Sequence, residues 1–236
     1  MTEIIDLNMQ IPLFKHRHFN RLVLGLLILG FMNAWGLMNA CAKSSPTILI
    51  VGDSLSAEYG LSRGTGWIQL MVQQAAQEKI PVQVVNASIS GDTTSGGVSR
   101  LPSLLQQHQP QIVVIELGGN DALRGLSLNL TQSNLKTMVT LGQQAGARVM
   151  LIAMQVPPNY GDKYRQQMDM AYQKVAKETG SELNRQFLKG VADDADPLKW
   201  FQADKIHPNE AAQTFMMKNT WPQIRAMLRY SPLKNQ

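Results

Sequence analysis

From Ile48 to Phe187 short apolar runs alternate with stretches of helical spacing, and most of the runs stop on a small, polar turn. This alternation constrains the fold more than any other feature. Strands separated by helices pair in parallel, because the crossover between parallel neighbours has to be long enough to hold a helix. A parallel sheet is covered on both faces, so its strands read as continuous apolar runs. Ile48–Val51, Val82–Val85, Ile112–Leu117 and Arg148–Ala153 are four such runs, and a weaker one spans Glu182–Phe187. Helices are expected from Trp67 to Ala76, Thr94 to His108, Thr131 to Gln144 and Lys163 to Lys177. A last helix follows Pro208 and reaches Leu228, with a break expected near Pro222 because proline cannot donate to the helix ladder. The fold class implied is α/β, a three-layer α/β/α sandwich with a five-stranded parallel sheet.

At 236 residues, 44% hydrophobic and 17% charged, the chain can bury one sizeable core, and disordered or coiled-coil classes are excluded. The net charge of +5 is diffuse. Apart from Lys15-His16-Arg17-His18 there is no dense basic cluster, so nucleic acid is not an expected partner. Diffuse positive charge favours anionic substrates or transient contact with membrane lipid. Nothing in the pattern calls for an oligomer, and a monomer is expected.

Lys15, Arg17 and Arg21 precede an apolar run from Leu22 to Met32, followed by small residues. That is the layout of an export signal. Residues 1–42 are read as the signal peptide and 43–236 as the mature domain, periplasmic or secreted. Ala40-Cys41-Ala42 offers the cleavage site. Lipid attachment at Cys41 ranks second, since Met38 and Asn39 fit a lipoprotein site poorly; an uncleaved anchor is a third reading, weakened by Asn33 and Asn39. Cys41 is the single cysteine, which leaves the mature domain without a disulfide, a thiolate metal cluster or a catalytic thiol.

In a parallel sheet every strand delivers its carboxyl end to the same edge. The turns that meet there contain Ser54 after the first strand, Gly91 after the second and Asn120 after the third. They supply a hydroxyl, a backbone N–H at a glycine and a side-chain amide, which match a nucleophile and the donors of an oxyanion hole. By itself Ser54 could equally cap a following helix. A nucleophilic serine also needs a base. Of the four histidines, His16 and His18 lie in the export segment and His108 closes a helix. His207 remains, and Asp204 stands near enough in sequence to hold one of its ring nitrogens. The alternative makes Asp204 a turn former and His207 a surface residue.

With these residues in view, the sequence resembles the SGNH (GDSL) hydrolase superfamily. The resemblance is carried by Gly52-Asp53-Ser54-Leu55-Ser56, by Gly91 within Asn86–Asp92, by Gly118-Gly119-Asn120-Asp121 and by Asp204 with His207, in the family's order across the whole mature chain. Within the family it is similar to the bacterial periplasmic multifunctional thioesterases, also described as arylesterases and lysophospholipases. The shared stretches are Val85–Thr93, Leu101–Pro110, Glu116–Asp121, Leu123-Arg124-Gly125 and Pro158–Gly161.

The resemblance implies a flavodoxin-like sheet of order 2-1-3-4-5 and hydrolysis of acyl esters and thioesters, with no metal and no cofactor. Ser54 would be the nucleophile and His207 the base and then the acid, with Asp204 orienting it. The N–H groups of Ser54 and Gly91 and the Asn120 amide would form the oxyanion hole. Asp53, Asp92 and Asp121 are read as turn-stabilising residues. Leu123, Leu126, Val156 and Pro157 are candidates for an acyl-chain groove, or else anchor their loops on the core. Glu58, where a small residue is expected, and the stretch from Asn184 to Gln202 depart from the subgroup and bear on chain preference. A carbohydrate O-deacetylase of the same family and a non-catalytic lipid-binding module are the alternatives.

Overall fold

In the computed structural model, which describes residues 45–229, five strands form one parallel sheet of order β2-β1-β3-β4-β5. The strands are β1 (Thr47–Gly52), β2 (Gln83–Asn86), β3 (Ile112–Glu116), β4 (Arg148–Ile152) and β5 (Glu182–Asn184). The helices are α1 (Trp67–Gln77), α2 (Thr94–His108), α3 (Gly119–Leu123), α4 (Leu128–Gln144), α5 (Asp162–Thr179) and α6 (Glu210–Arg229). The export segment expected over residues 1–42, with Cys41, lies outside the described residues.

Ile48–Val51 of β1 and Ile112–Ile115 of β3 are buried, as their unbroken aliphatic runs require. Parallel crossovers are right-handed. The step from β1 to β2 runs one way along the sheet and all later steps run the other way. So α1 covers one face, while α2, α4 and α5 cover the other and pack in that sequence; α6 joins α1. The reversal falls between β1 and β3, where an open parallel sheet leaves a crevice at its carboxyl edge.

The structure departs from the sequence reading in five places. No regular helix follows Ser54: residues 54–60 form turns, with Glu58 at φ 58° and Gly60 at φ 70°. The Glu58 carboxylate accepts the N–H groups of Gly64 and Gly66 and draws the chain away from a helical path. The Gly118-Gly119-Asn120-Asp121 turn already opens the short helix α3. α4 starts at Leu128, ahead of Thr131. β5 stops at Asn184, whose Oδ1 accepts the N–H of Gln186 and turns the chain. The break expected at Pro222 is absent from α6. Pro222 and Lys218, whose carbonyl loses its partner, both face solvent, while buried Trp221, Ile224 and Met227 hold the helix down on either side.

Candidate active site

The floor of the site is set by sheet register. Gly52, the last residue of β1, pairs with Glu116, the last of β3. A Cβ on Gly52 would come 2.6 Å from Glu116 Oε2 and 2.9 Å from Ser56 Cβ. Only glycine leaves room for the Glu116 carboxyl beneath the turn. Glu116 is fully buried; its Oε2 accepts the Ser56 hydroxyl at 2.6 Å and the Asp53 N–H at 3.3 Å. Ser56 Oγ in turn accepts the indole N–H of buried Trp67 at 3.2 Å.

Asp53 ties its own turn by accepting the N–H of Leu55 at 3.1 Å on Oδ1. Its Oδ2 accepts Asn120 Nδ2 at 3.0 Å, so the first and third polar turns are bonded directly. Asp121 accepts the N–H of Thr94 at 2.9 Å and the Thr131 hydroxyl at 3.1 Å, fastening α3 to α2 and α4. Asp92 accepts the Arg100 guanidinium at 2.8 Å. Asp53 and Asp92 thus tie their own turns, Asp92 by accepting the N–H of Thr93 at 2.9 Å, and both also reach beyond them, whereas Asp121 bonds only to α2 and α4 and not within its turn.

Ser54 sits just above this floor, its side chain opposite His207: Ser54 Oγ and His207 Nε2 are 2.9 Å apart. On the other side of the ring, His207 Nδ1 lies 2.6 Å from Asp204 Oδ2. A carboxylate can only accept, so it fixes the proton on Nδ1 and leaves the Nε2 lone pair to receive the Ser54 O–H. Asp204 Oδ1 also accepts the N–H groups of Ile206 at 2.9 Å and His207 at 3.0 Å. Partial burial pushes the Asp204 carboxyl up, but these donors and the His207 ring outweigh it and bring it down to about 2. Asp204 is therefore ionised throughout the neutral range.

The loop bearing His207 is clamped to the one following Ser54. Gln202 Nε2 donates to the carbonyls of Tyr59 at 2.9 Å and Pro208 at 3.2 Å, and Gln202 N donates to the His207 carbonyl at 2.8 Å. Glu210 accepts the N–H of Ser62 at 3.0 Å, and Gln213 accepts that of Trp67 at 3.1 Å. The Tyr59 ring lies 4.4 Å from the His207 ring, tilted by 38°.

A cleft of about 270 Å³ opens over Ser54, Asn120 and His207. Leu123, Val156 and Pro157 line it, while Leu126 does not and is exposed beside it in sequence. Sequence reasoning missed Leu198, Phe201 and Ile206, which line the cleft as well. It also missed Gln202 and Glu116; the one available signal for Glu116 was an acid ending an otherwise apolar central strand. Gly91, at φ 79°, is not among the lining residues, and its carbonyl accepts Arg124 Nη2 at 2.7 Å. Among the described residues the N–H groups of Ser54 and Gly91 donate to no protein acceptor. No group of three or more His, Cys, Asp or Glu among the described residues is arranged to hold a metal ion.

Comparison with known proteins places the chain in a family. Residues 50–215 match the model of the GDSL-like Lipase/Acylhydrolase family. The chain is 44% identical over 185 residues to Esterase TesA of Pseudomonas aeruginosa, covering 78% of this chain and 90% of that protein. It is 40% identical over 191 residues to Thioesterase 1/protease 1/lysophospholipase L1 of Escherichia coli K12, covering 80% and 88% respectively. The crystal structure of TesA superposes with a TM-score of 0.73 at 44% identity, covering 77% of this chain and 99% of that one.

Proposed function

The chain belongs to the GDSL-like lipase/acylhydrolase family and is a serine esterase and thioesterase; we propose that it works through an acyl-enzyme on Ser54. Ser54 Oγ attacks the carbonyl carbon of an acyl ester or thioester while His207 Nε2 takes its proton. The N–H groups of Ser54 and Gly91 and the Asn120 amide receive the oxyanion. His207 returns the proton to the leaving alcohol or thiol, and water then releases the acid by the reverse route. Asp204 keeps the imidazole in the competent tautomer. The observation that carries this reading is the continuous Asp204–His207–Ser54 line, 2.6 Å and 2.9 Å long in its two links, at the mouth of one cleft.

The cleft walls favour an acyl chain over a sugar: Leu123, Val156, Pro157, Leu198, Phe201 and Ile206 offer apolar contacts and little hydrogen bonding. Lysophospholipids and acyl thioesters fit this profile. The basic flank and apolar run before residue 43 support export to the periplasm or beyond, and the diffuse positive charge supports passing contact with lipid. Kinetics on esters and thioesters of increasing acyl length, beside acetylated sugars, test the substrate class. The expected result is kcat/KM rising by up to about fourfold per added methylene, the ~0.8 kcal/mol of burying one, until the cleft is filled. A maximum on acetylated sugars would favour the O-deacetylase.

A further inference from the structure

One buried acid has no part in the scheme above. Glu116 is fully buried at the end of β3, directly under the Ser54 turn. Its Oε2 is satisfied by Ser56 and Asp53 N, whereas its Oε1 is buried with no hydrogen-bond partner. The Asp53 carboxyl is the neighbouring buried acid: the N–H of the same residue reaches Glu116 Oε2 at 3.3 Å, and its Oδ2 holds Asn120. Two carboxylates in contact away from water cannot both be charged. A single proton between them removes one charge and gives Glu116 Oε1 the partner it otherwise lacks.

We propose that Glu116 carries this proton and donates it in a hydrogen bond to an ionised Asp53, and that the pair is the positioning element that aims the Asn120 amide at the oxyanion. The inference rests on the reading of Asn120 as an oxyanion donor. An ionised Asp53 accepts only, so Asn120 must offer it Nδ2, as it does at 3.0 Å. The second hydrogen on Nδ2 then remains for the substrate. With the proton on Asp53 instead, the amide could turn its Oδ1 to Asp53 and present the wrong end of its dipole elsewhere. Burial sorts the two acids in the direction required. It pushes Glu116 well above the usual carboxylate range, with the Asp53 charge adding to the effect, and it raises Asp53 only to about 6, because Leu55 N–H, Glu116, His207 and Asn120 all favour its charge.

The other groups facing the pair are accounted for. His207 acts on Asp53 from the opposite loop. Tyr172 of α5 donates its hydroxyl to the Leu117 carbonyl at 2.6 Å, and Asp121 of α3 is held by Thr94 and Thr131. Arg100 of α2 reaches the Gly52 carbonyl at 3.4 Å and pairs with Asp92.

The test combines infrared difference spectroscopy with kinetics. At neutral pH the wild-type protein should show a buried carboxylic-acid C=O band that Glu116→Gln removes. Glu116→Ala should lower kcat by about 10-fold to 100-fold with KM within about twofold. Glu116→Gln, a neutral donor of the same shape, should recover most of that loss. Absence of the band in wild type, or its removal by Asp53→Asn alone, would overturn the proposal. So would a Glu116→Gln enzyme as slow as Glu116→Ala. If Glu116→Ala does not fold, the spectrum and Glu116→Gln still decide. A failure of the parent reading would look different: Asn120→Ala would then turn over esters as fast as the wild type.

Discussion

The site has two halves built on different principles. The floor belongs to the sheet: buried Ser54, Asp53 and Glu116 and half-buried Asn120 follow or end β1 and β3, and the register of Gly52 with Glu116 fixes where they stand. The rim is loop: Asp204 and His207 lie on an irregular stretch before α6, held by the side chains of Gln202, Glu210 and Gln213. Where backbone pairing sets position, one buried change propagates through a fixed frame. Where side-chain bonds at partial exposure set it, each contact is weaker and its loss is local. The floor should therefore control the chemistry of the oxyanion, and the rim the alignment of the base.

Three changes would break or sharpen this division. The largest effect is expected in the floor. Asn120→Ala should cost about 10²–10³ in kcat, the loss typical of an oxyanion donor, with thermal stability little changed. Steady-state kinetics and a melting curve measure both, and unchanged turnover would remove Asn120 from its role. In the rim, Gln202→Ala frees the bonds to the Tyr59 and Pro208 carbonyls. A fall in kcat of about tenfold is expected, since misplacing a reacting group by a fraction of an ångström is costly. Loss of KM alone would mean that Gln202 serves the cleft and not the base.

The smallest effect is a pH dependence of opposite sign in the two halves. Asp204 is held at about 2 against an ordinary value of 3.8, so its contribution to stability is complete above 3.8 and is lost as pH falls through about 2. Asp53 is raised from 3.8 to about 6, so the fold favours its protonated form, and stability declines as pH rises from 3.8 through 6. Melting curves of wild type and Asp204→Asn should converge as the solution is acidified through that lower window. A gap that widened on acidification would reverse the sign.

The two halves also differed in how far the sequence revealed them. The floor was legible because a parallel strand announces itself by an aliphatic run and its end by Gly, Asp, Ser or Asn, and strand ends share an edge. Ser54 and Asn120 meet at one cleft as that logic requires, while His207 and Asp204, the remaining histidine and its neighbouring acid, join them from the rim. Glu116 was not legible, because an acid closing a strand reads as solvent-facing until the register puts it under Gly52. The apolar wall of Leu198, Phe201 and Ile206 was hidden for another reason. It stands on a loop with no periodicity, tied down by bonds such as Gln202 to Tyr59 that span a long stretch of chain. Leu126, chosen for being apolar near Asn120, falls outside the cleft because α3 turns the chain before it arrives.

Covalent labelling tests the central claim most directly. Folded wild-type protein treated with a serine-directed phosphonate probe should yield a single adduct, on Ser54, by peptide mass spectrometry. His207→Ala should label slower by about 10³-fold or more, since the serine loses its base. No adduct on Ser54, or equal labelling rates in the two proteins, would contradict the account.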